Sequence, residues 1–118
     1  MDSKTQIKYE ARAKIIKAIA HPTRLFIVEE LAKQSRCVCE LTDMIGADVS
    51  TISKHLSVLK SAGIISDAKI GTNVHYSLKT PCILNFINCI EQVLRMNHEE
   101  QSKMFEPSEK ECVCSTNR

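Results

Sequence analysis

This sequence predicts a mainly α fold with one small β-hairpin, in the order ααααββα, and three observations carry the prediction. Four stretches before residue 62 repeat apolar residues at helical spacing. An alternating stretch then follows a Gly-Thr-Asn turn at 71–73, and a last helical stripe begins after Pro81. A chain of 118 residues, 43% hydrophobic and 25% charged, holds one domain with enough apolar content for a core without disulfide support.

The first helix rests on Ala11, Ile15, Ala18 and Ile19 and is closed by His21-Pro22. Pro22 suits the first turn of a second helix, whose stripe is Leu25, Val28, Leu31 and Ala32. Gln34-Ser35-Arg36 then breaks the pattern. Val38, Leu41 and Ile45 mark a short third helix ended by Gly46. Val49, Ile52, Leu56 and Leu59 mark a fourth, with Ser50 as its N-cap and Ala62-Gly63 at its end. The link between these two helices is only about four residues, the pattern of a helix-turn-helix, with a plain αα-hairpin as the alternative.

Ile64-Ile65 and Ala68–Ile70 lead into Gly71-Thr72-Asn73, after which Val74, Tyr76 and Leu78 alternate with His75, Ser77 and Lys79 as a half-buried strand. A hairpin directly after the second helix of a helix-turn-helix is a wing, and this order is more specific than the helix pair alone. The predicted fold is therefore a winged helix-turn-helix. Pro81 fits the first turn of a fifth helix with the stripe Ile83, Phe86, Ile87, Ile90 and Leu94, running to about Met104. That stripe is too apolar to lie alone, so a homodimer through the first and fifth helices is the economical use of both. The predicted organisation is a DNA-binding and dimerisation domain at 1–104 and a flexible tail at 105–118 that carries Cys112-Val113-Cys114.

Composition excludes several classes. With 4% aromatic residues and no Trp there is no sign of a sugar or base-stacking cleft. The sequence has no glycine-rich phosphate loop, His-Glu-x-x-His or nucleophile elbow, so an enzyme reading has no support. Charges at Asp2, Lys4, Lys8, Glu10, Arg12, Lys14 and Lys17 rule out an export signal in the first twenty residues, and no run spans a bilayer. A cytoplasmic protein with no membrane partner is expected. In that reducing compartment six cysteines are free thiols or metal ligands rather than a disulfide framework. The net charge of +2 is uneven, with seven Lys/Arg against four acids over 1–33 and four against two over 48–79, where the DNA reader is expected.

The chemistry concentrates on Cys37-Val38-Cys39, at the head of the helix-turn-helix. Thiolates select soft or borderline ions. Two positions on a regular helix lie about 200° apart around the axis, so both sulfurs reach one ion only where the helix start bends or unwinds. Soft ions want three or four donors, and Cys112 and Cys114, with the same spacing, are candidates to complete the site. Cys82 and Cys89, about 10 Å apart along the fifth helix, read as small core residues. The alternative for the first pair is a surface thiol at Cys37 and a core residue at Cys39. On the reader, Ser50, Thr51, Ser53, Lys54 and His55 occupy the first turns of the fourth helix, within reach of base edges and phosphates of double-stranded operator DNA. Lys60, and on the wing Lys69, Thr72 and Asn73, would mainly meet the backbone. His21, His75 and His98 read as surface or capping residues.

Taken together, Ala20-His21-Pro22-Thr23-Arg24-Leu25, Ser53-Lys54-His55-Leu56-Ser57-Val58-Leu59, Gly63-Ile64-Ile65 and Cys37-Val38-Cys39-Glu40-Leu41 resemble the ArsR/SmtB family of metal- and metalloid-responsive repressors over about residues 10 to 100. The resemblance implies a homodimeric winged helix-turn-helix protein that holds operator DNA when inducer-free and releases it when an ion binds. The Cys-Val-Cys-Glu-Leu stretch is similar to the arsenic, antimony, cadmium or lead-sensing branch. Arsenic(III) or antimony(III) is thereby implied first, with cadmium, lead or zinc as alternatives. The chain departs from the pattern in two ways: Thr42 stands where the arsenical sensors carry a third cysteine, and the N-terminus lacks the cysteines of the cadmium and lead sensors. Nor does the fifth helix carry the Asp/His/Glu ligands of zinc-sensing members. Two other readings stand beside this one. The first is a thiol-redox or reactive-sulfur-sensing repressor on the same fold; the second is a thiol-rich metal-binding protein that uses the winged helix as an interaction scaffold.

Overall fold

The computed structural model describes residues 1–104. Their elements are α1 (Ser3–Ile19), α2 (Pro22–Lys33), β1 (Arg36–Cys37), α3 (Val38–Ile45), α4 (Val49–Ser61), β2 (Ile65–Ile70), β3 (Asn73–Leu78) and α5 (Ile83–Met104). The predicted four helices, hairpin and final helix are all present, and one strand is added.

The Asp2 side chain caps α1 by accepting from the Thr5 N–H at 2.8 Å. That cap starts the helix about two turns before the apolar periodicity suggests. Of the expected stripe only Ala18 and Ile19 are buried, while Ile15 is exposed, as are Ile7 and Ile16. His21 caps α2 in extended conformation, its Nδ1 accepting from Thr23 N–H at 3.1 Å, and Pro22 takes the first turn. The buried face of α2 is Ile27, Val28 and Leu31 with Glu30; Ala32, expected inside, is exposed, because the helix turns Ile27 inward instead.

The core gathers Ile27 and Val28 with Leu41 of α3, Ile52, Leu56 and Leu59 of α4, and Ile64 and Ile65 at the start of the wing. Each such side chain contributes about 1.5–3 kcal/mol of transfer free energy, enough to hold two short helices that would not form alone. α3 ends on Gly46, whose φ of 85° is left-handed and whose N–H donates to Thr42 O at 2.8 Å. α4 opens one turn from there, but Asp48 rather than Ser50 is its N-cap, accepting from Thr51 N–H at 3.0 Å.

β2 and β3 pair antiparallel from Ile65 opposite Leu78 to Ile70 opposite Asn73. Gly71, at φ 64°, supplies the positive φ that so tight a loop demands. The wing is not a lone hairpin, since β1 pairs with β3 as well, giving the order β1-β3-β2 with Arg36 opposite Tyr76 and Cys37 opposite His75. A strand of two residues leaves no periodicity in a sequence, which is why it goes unpredicted.

α5, taken by itself, begins at Ile83, whose N–H donates to Thr80 O at 3.1 Å. Pro81 and Cys82 therefore precede the helix instead of opening it. Phe86, Ile90, Val93 and Leu94 along α5 are exposed in the single chain. Cys82 and Cys89 are exposed too, against the expectation of core residues. No described helix is long and apolar enough to cross a membrane. Cys112, Cys114 and the 105–118 tail lie outside the described residues.

Candidate metal centre and nucleic-acid interface

Cys37 is not a helical residue. It ends β1 and serves as the N-cap of α3 with φ −88° and ψ 166°, an extended conformation. The 200° separation expected of two helical positions thus does not apply, and Cys37 Sγ lies 2.9 Å from Cys39 Sγ. No helix need unwind to bring them together. Their burial is the reverse of the alternative expectation: Cys37 is buried at 8% exposure and Cys39 is exposed. One sulfur is anchored in the fold while the other is open to solvent.

Local bonds explain why this bend holds. The Glu40 carboxylate accepts from the Cys37 N–H at 3.0 Å, closing the first turn of α3. That bond is the chief reason the Glu40 carboxyl is held below the usual carboxylate range, with Arg36 and His75 adding favourable charge. Upstream, the buried Glu30 bonds Lys33 at 2.8 Å and Arg36 at 3.3 Å, tying α2 to the residue just before Cys37. The Lys33 bond leads the causes that lower the Glu30 carboxyl. The Cys39 thiol is pushed up, first by its hydrogen bond with Cys37 and then by desolvation and the Cys37 charge. Cys39 is thereby favoured as a thiol, whose proton a binding metal ion would have to displace.

Two thiolates at this spacing suit one soft ion. Around a tetrahedral ion with metal–sulfur bonds of about 2.3 Å the two sulfurs would stand about 3.8 Å apart, so the pair needs to open by less than an ångström or so. Thr42, one turn beyond Cys39, has its Oγ1 buried without a partner, and a hydroxyl is too hard a donor to replace the missing thiolate.

On α4, the helix expected to read DNA, Ile52, Leu56 and Leu59 point into the core, which turns Ser50, Thr51, Ser53 and Lys54 to the exposed face. Lys69, Thr72 and Asn73 are exposed at the tip of the wing. Two expected contacts sit differently. His55 is half-buried, its ring 4.5 Å from that of His21, and its imidazole is pushed down in pKa by burial first and then by the charges of His21 and Arg24. Lys60 is bonded to Asp67 of β2 at 2.9 Å, a contact that raises its pKa and engages its charge within the wing. Glu30 and the β1 pairing to His75 carry no signal that can be isolated in the sequence, since each depends on what the chain later packs against. Asp48 alone is foreseeable, as a cap residue beside Ser50.

Residues 21–67, from the α2 cap to the middle of β2, match the model of bacterial regulatory proteins of the arsR family. An HTH-type transcriptional regulator of Methanocaldococcus jannaschii is 39% identical over 87 residues, covering 73% of this chain and 98% of that protein. The chain belongs to the ArsR/SmtB family. The HTH-type transcriptional repressor SmtB of Mycobacterium tuberculosis is 36% identical over 69 residues, and this match spans about half of that protein, 51%, and 58% of this chain. The cadmium resistance transcriptional regulatory protein CadC of Listeria innocua is 36% identical over 89 residues, covering 72% of this chain and 66% of that protein. Among solved structures, the homodimeric winged helix-turn-helix DNA-binding domain of a Mycobacterium bovis protein superposes with a TM-score of 0.70 at 26% identity, covering 86% of this chain and 93% of that one. This ArsR/SmtB member is accordingly a DNA-binding transcriptional regulator and not an enzyme.

Proposed function

We propose that this regulator is a metal(loid)-responsive repressor. A homodimer built through α1 and α5 holds operator DNA by the exposed face of α4 and the wing tip, and lets go when Cys37 and Cys39 bind a soft ion. The observation that carries the reading is the 2.9 Å approach of the two sulfurs at the N-cap of α3, one turn-linked step from the reading helix. Arsenic(III) or antimony(III) is the first inducer to try, since both accept thiolates alone; cadmium, lead and zinc follow. The cadmium-resistance relative supports that wider range. The exposed Ile7, Ile15 and Ile16 of α1 and Phe86, Ile90 and Leu94 of α5 support the dimer, which would bury them. A third donor is needed, and Cys112 and Cys114 of the proposed 105–118 tail are the thiol candidates.

The coupling follows from where Cys37 sits. Separating its sulfur from Cys39 to admit an ion pulls on β1 and on the Glu40-capped first turn of α3 together, and α3 sets the angle of α4 through the Gly46 turn. An ion that favours the opened pair therefore favours a conformation other than the one complementary to DNA. The test is operator binding by the full chain during titration with arsenite, cadmium and lead. Release from wild type and none from the Cys37→Ser/Cys39→Ser protein is expected; equal release from both would place the sensing elsewhere.

The same approach of the sulfurs supports a second reading, in which the pair senses oxidant. A peroxide would take two electrons and two protons from the thiols, leaving a Cys37–Cys39 disulfide and water. Mass spectrometry of peroxide-treated protein decides it: a defined crosslink that changes DNA affinity favours redox sensing, and no crosslink removes it.

A further inference from the structure

Cys37 and His75 face each other across the β1–β3 ladder, directly opposite in an antiparallel register. Residues so paired project from the same side of the sheet, with Cβ atoms about 4.5–5.5 Å apart. For an ion bonded to sulfur at about 2.3 Å and to imidazole nitrogen at about 2.0–2.1 Å, the two donor atoms would stand about 3.6 Å apart, within reach of such a pair. His75 is half-buried, so the ring is held near the sheet and not free in solvent. The ladder thus sets His75 opposite Cys37, while the first turn of α3 carries Cys39 and Glu40.

We propose that His75 supplies the missing donor, so that Cys37, Cys39 and the His75 imidazole form an S,S,N site for a borderline divalent ion such as zinc or cadmium. This rests on the proposed sensing role of the thiol pair and deepens it. Among the described residues no three such side chains already stand as a metal site, so the ring must turn toward the sulfurs when the ion enters. Glu40 already accepts from the Cys37 N–H through Oε1, which leaves its second carboxylate oxygen to take the other ring N–H once the ring has turned, the arrangement that commonly orients a ligating histidine. Two consequences follow. Selectivity shifts, because imidazole suits zinc and cadmium whereas arsenic(III) is held by thiolates. Communication also gains a second route, because His75 lies two residues from Asn73 at the wing tip, and an ion bridging β3 to α3 would draw the wing against the sensing helix.

The experiment titrates the full chain with cadmium and, separately, arsenite, following thiolate charge-transfer absorption, and examines the cadmium complex by X-ray absorption. Wild type should show one directly bonded nitrogen beside sulfur. His75→Gln should lower cadmium affinity at least about tenfold, the least that loss of even a supporting partner costs, and leave arsenite binding unchanged. Cadmium affinity within about twofold of wild type, with no bonded nitrogen, overturns the proposal. So does loss of cadmium only in Cys112→Ser/Cys114→Ser, which would place the third donor in the tail. If Cys37→Ser/Cys39→Ser leaves cadmium binding intact, the sensing role of the pair fails first, a result distinct from failure of His75 alone.

Discussion

Gly46 joins α3, which carries Cys39 and is capped by Cys37, to α4, the helix proposed to read DNA, and its replacement by alanine tests that joint. Its φ of 85° is left-handed, and an added Cβ would meet nothing within 4 Å, so the effect is conformational and free of steric clash. A side chain in that region costs about 1–2 kcal/mol, and the loss of glycine's freedom in the unfolded chain returns about 0.4–1 kcal/mol. Gly46→Ala should therefore destabilise by roughly 1 kcal/mol, lowering Tm by about 4 °C for a chain of this size. Gly46→Asn, which tolerates the left-handed region better, should lose less than half of that, roughly 0.5 kcal/mol or under. Calorimetry at one fixed protein concentration is the assay, since the Tm of the proposed dimer would depend on concentration. Operator affinity of the alanine variant should fall no more than about fivefold, the equivalent of that strain. Wild-type stability in Gly46→Ala would mean that the turn is not left-handed; a loss beyond about 3 kcal/mol would mean that the space beside it is filled.

Two further expectations concern the reader. Lys54→Ala should weaken binding to all duplexes alike and reduce the salt dependence of log K by about one per subunit, whereas Lys60→Ala should leave that slope nearly unchanged because Asp67 already holds its charge. Binding isotherms over a range of salt separate the two; equal slopes for both variants would refute the assignment. His55 adds a pH dependence whose sign is set by its lowered pKa. The folded chain resists the imidazolium, the unfolded chain takes the proton as pH falls through the ordinary value of 6.5, and stability declines on the acid side of it. Denaturant unfolding between about pH 7 and 5 should show a shallower decline in His55→Gln than in wild type, and an unchanged slope would mean the ring is solvated in the folded state.

Helical stripes and the turn residues carried most of the architecture in the sequence, because amphipathic periodicity and Gly or Pro punctuation are local properties. The order of the elements, the length of the helix-turn-helix link, the Gly71 turn and the thiol pair at the head of α3 were all legible there. What was not legible depends on distant partners. Whether Ile27 or Ala32 faces inward is decided by what α2 packs against, and whether Lys60 is free is decided by where β2 places Asp67. Thiolate chemistry and position singled out the pair, but the geometry expected for it, two helical positions facing apart, was wrong.

By itself, then, the sequence determined a winged helix-turn-helix and the residue types available to sense and to read, since these follow from local pattern and chemistry. Only the tertiary structure decided that Cys37 is a strand residue. Pairing of β1 with β3 holds its backbone extended, the Glu40 cap begins the helix one residue later, and two sulfurs that a continuous helix would have turned apart meet at 2.9 Å with His75 across the ladder.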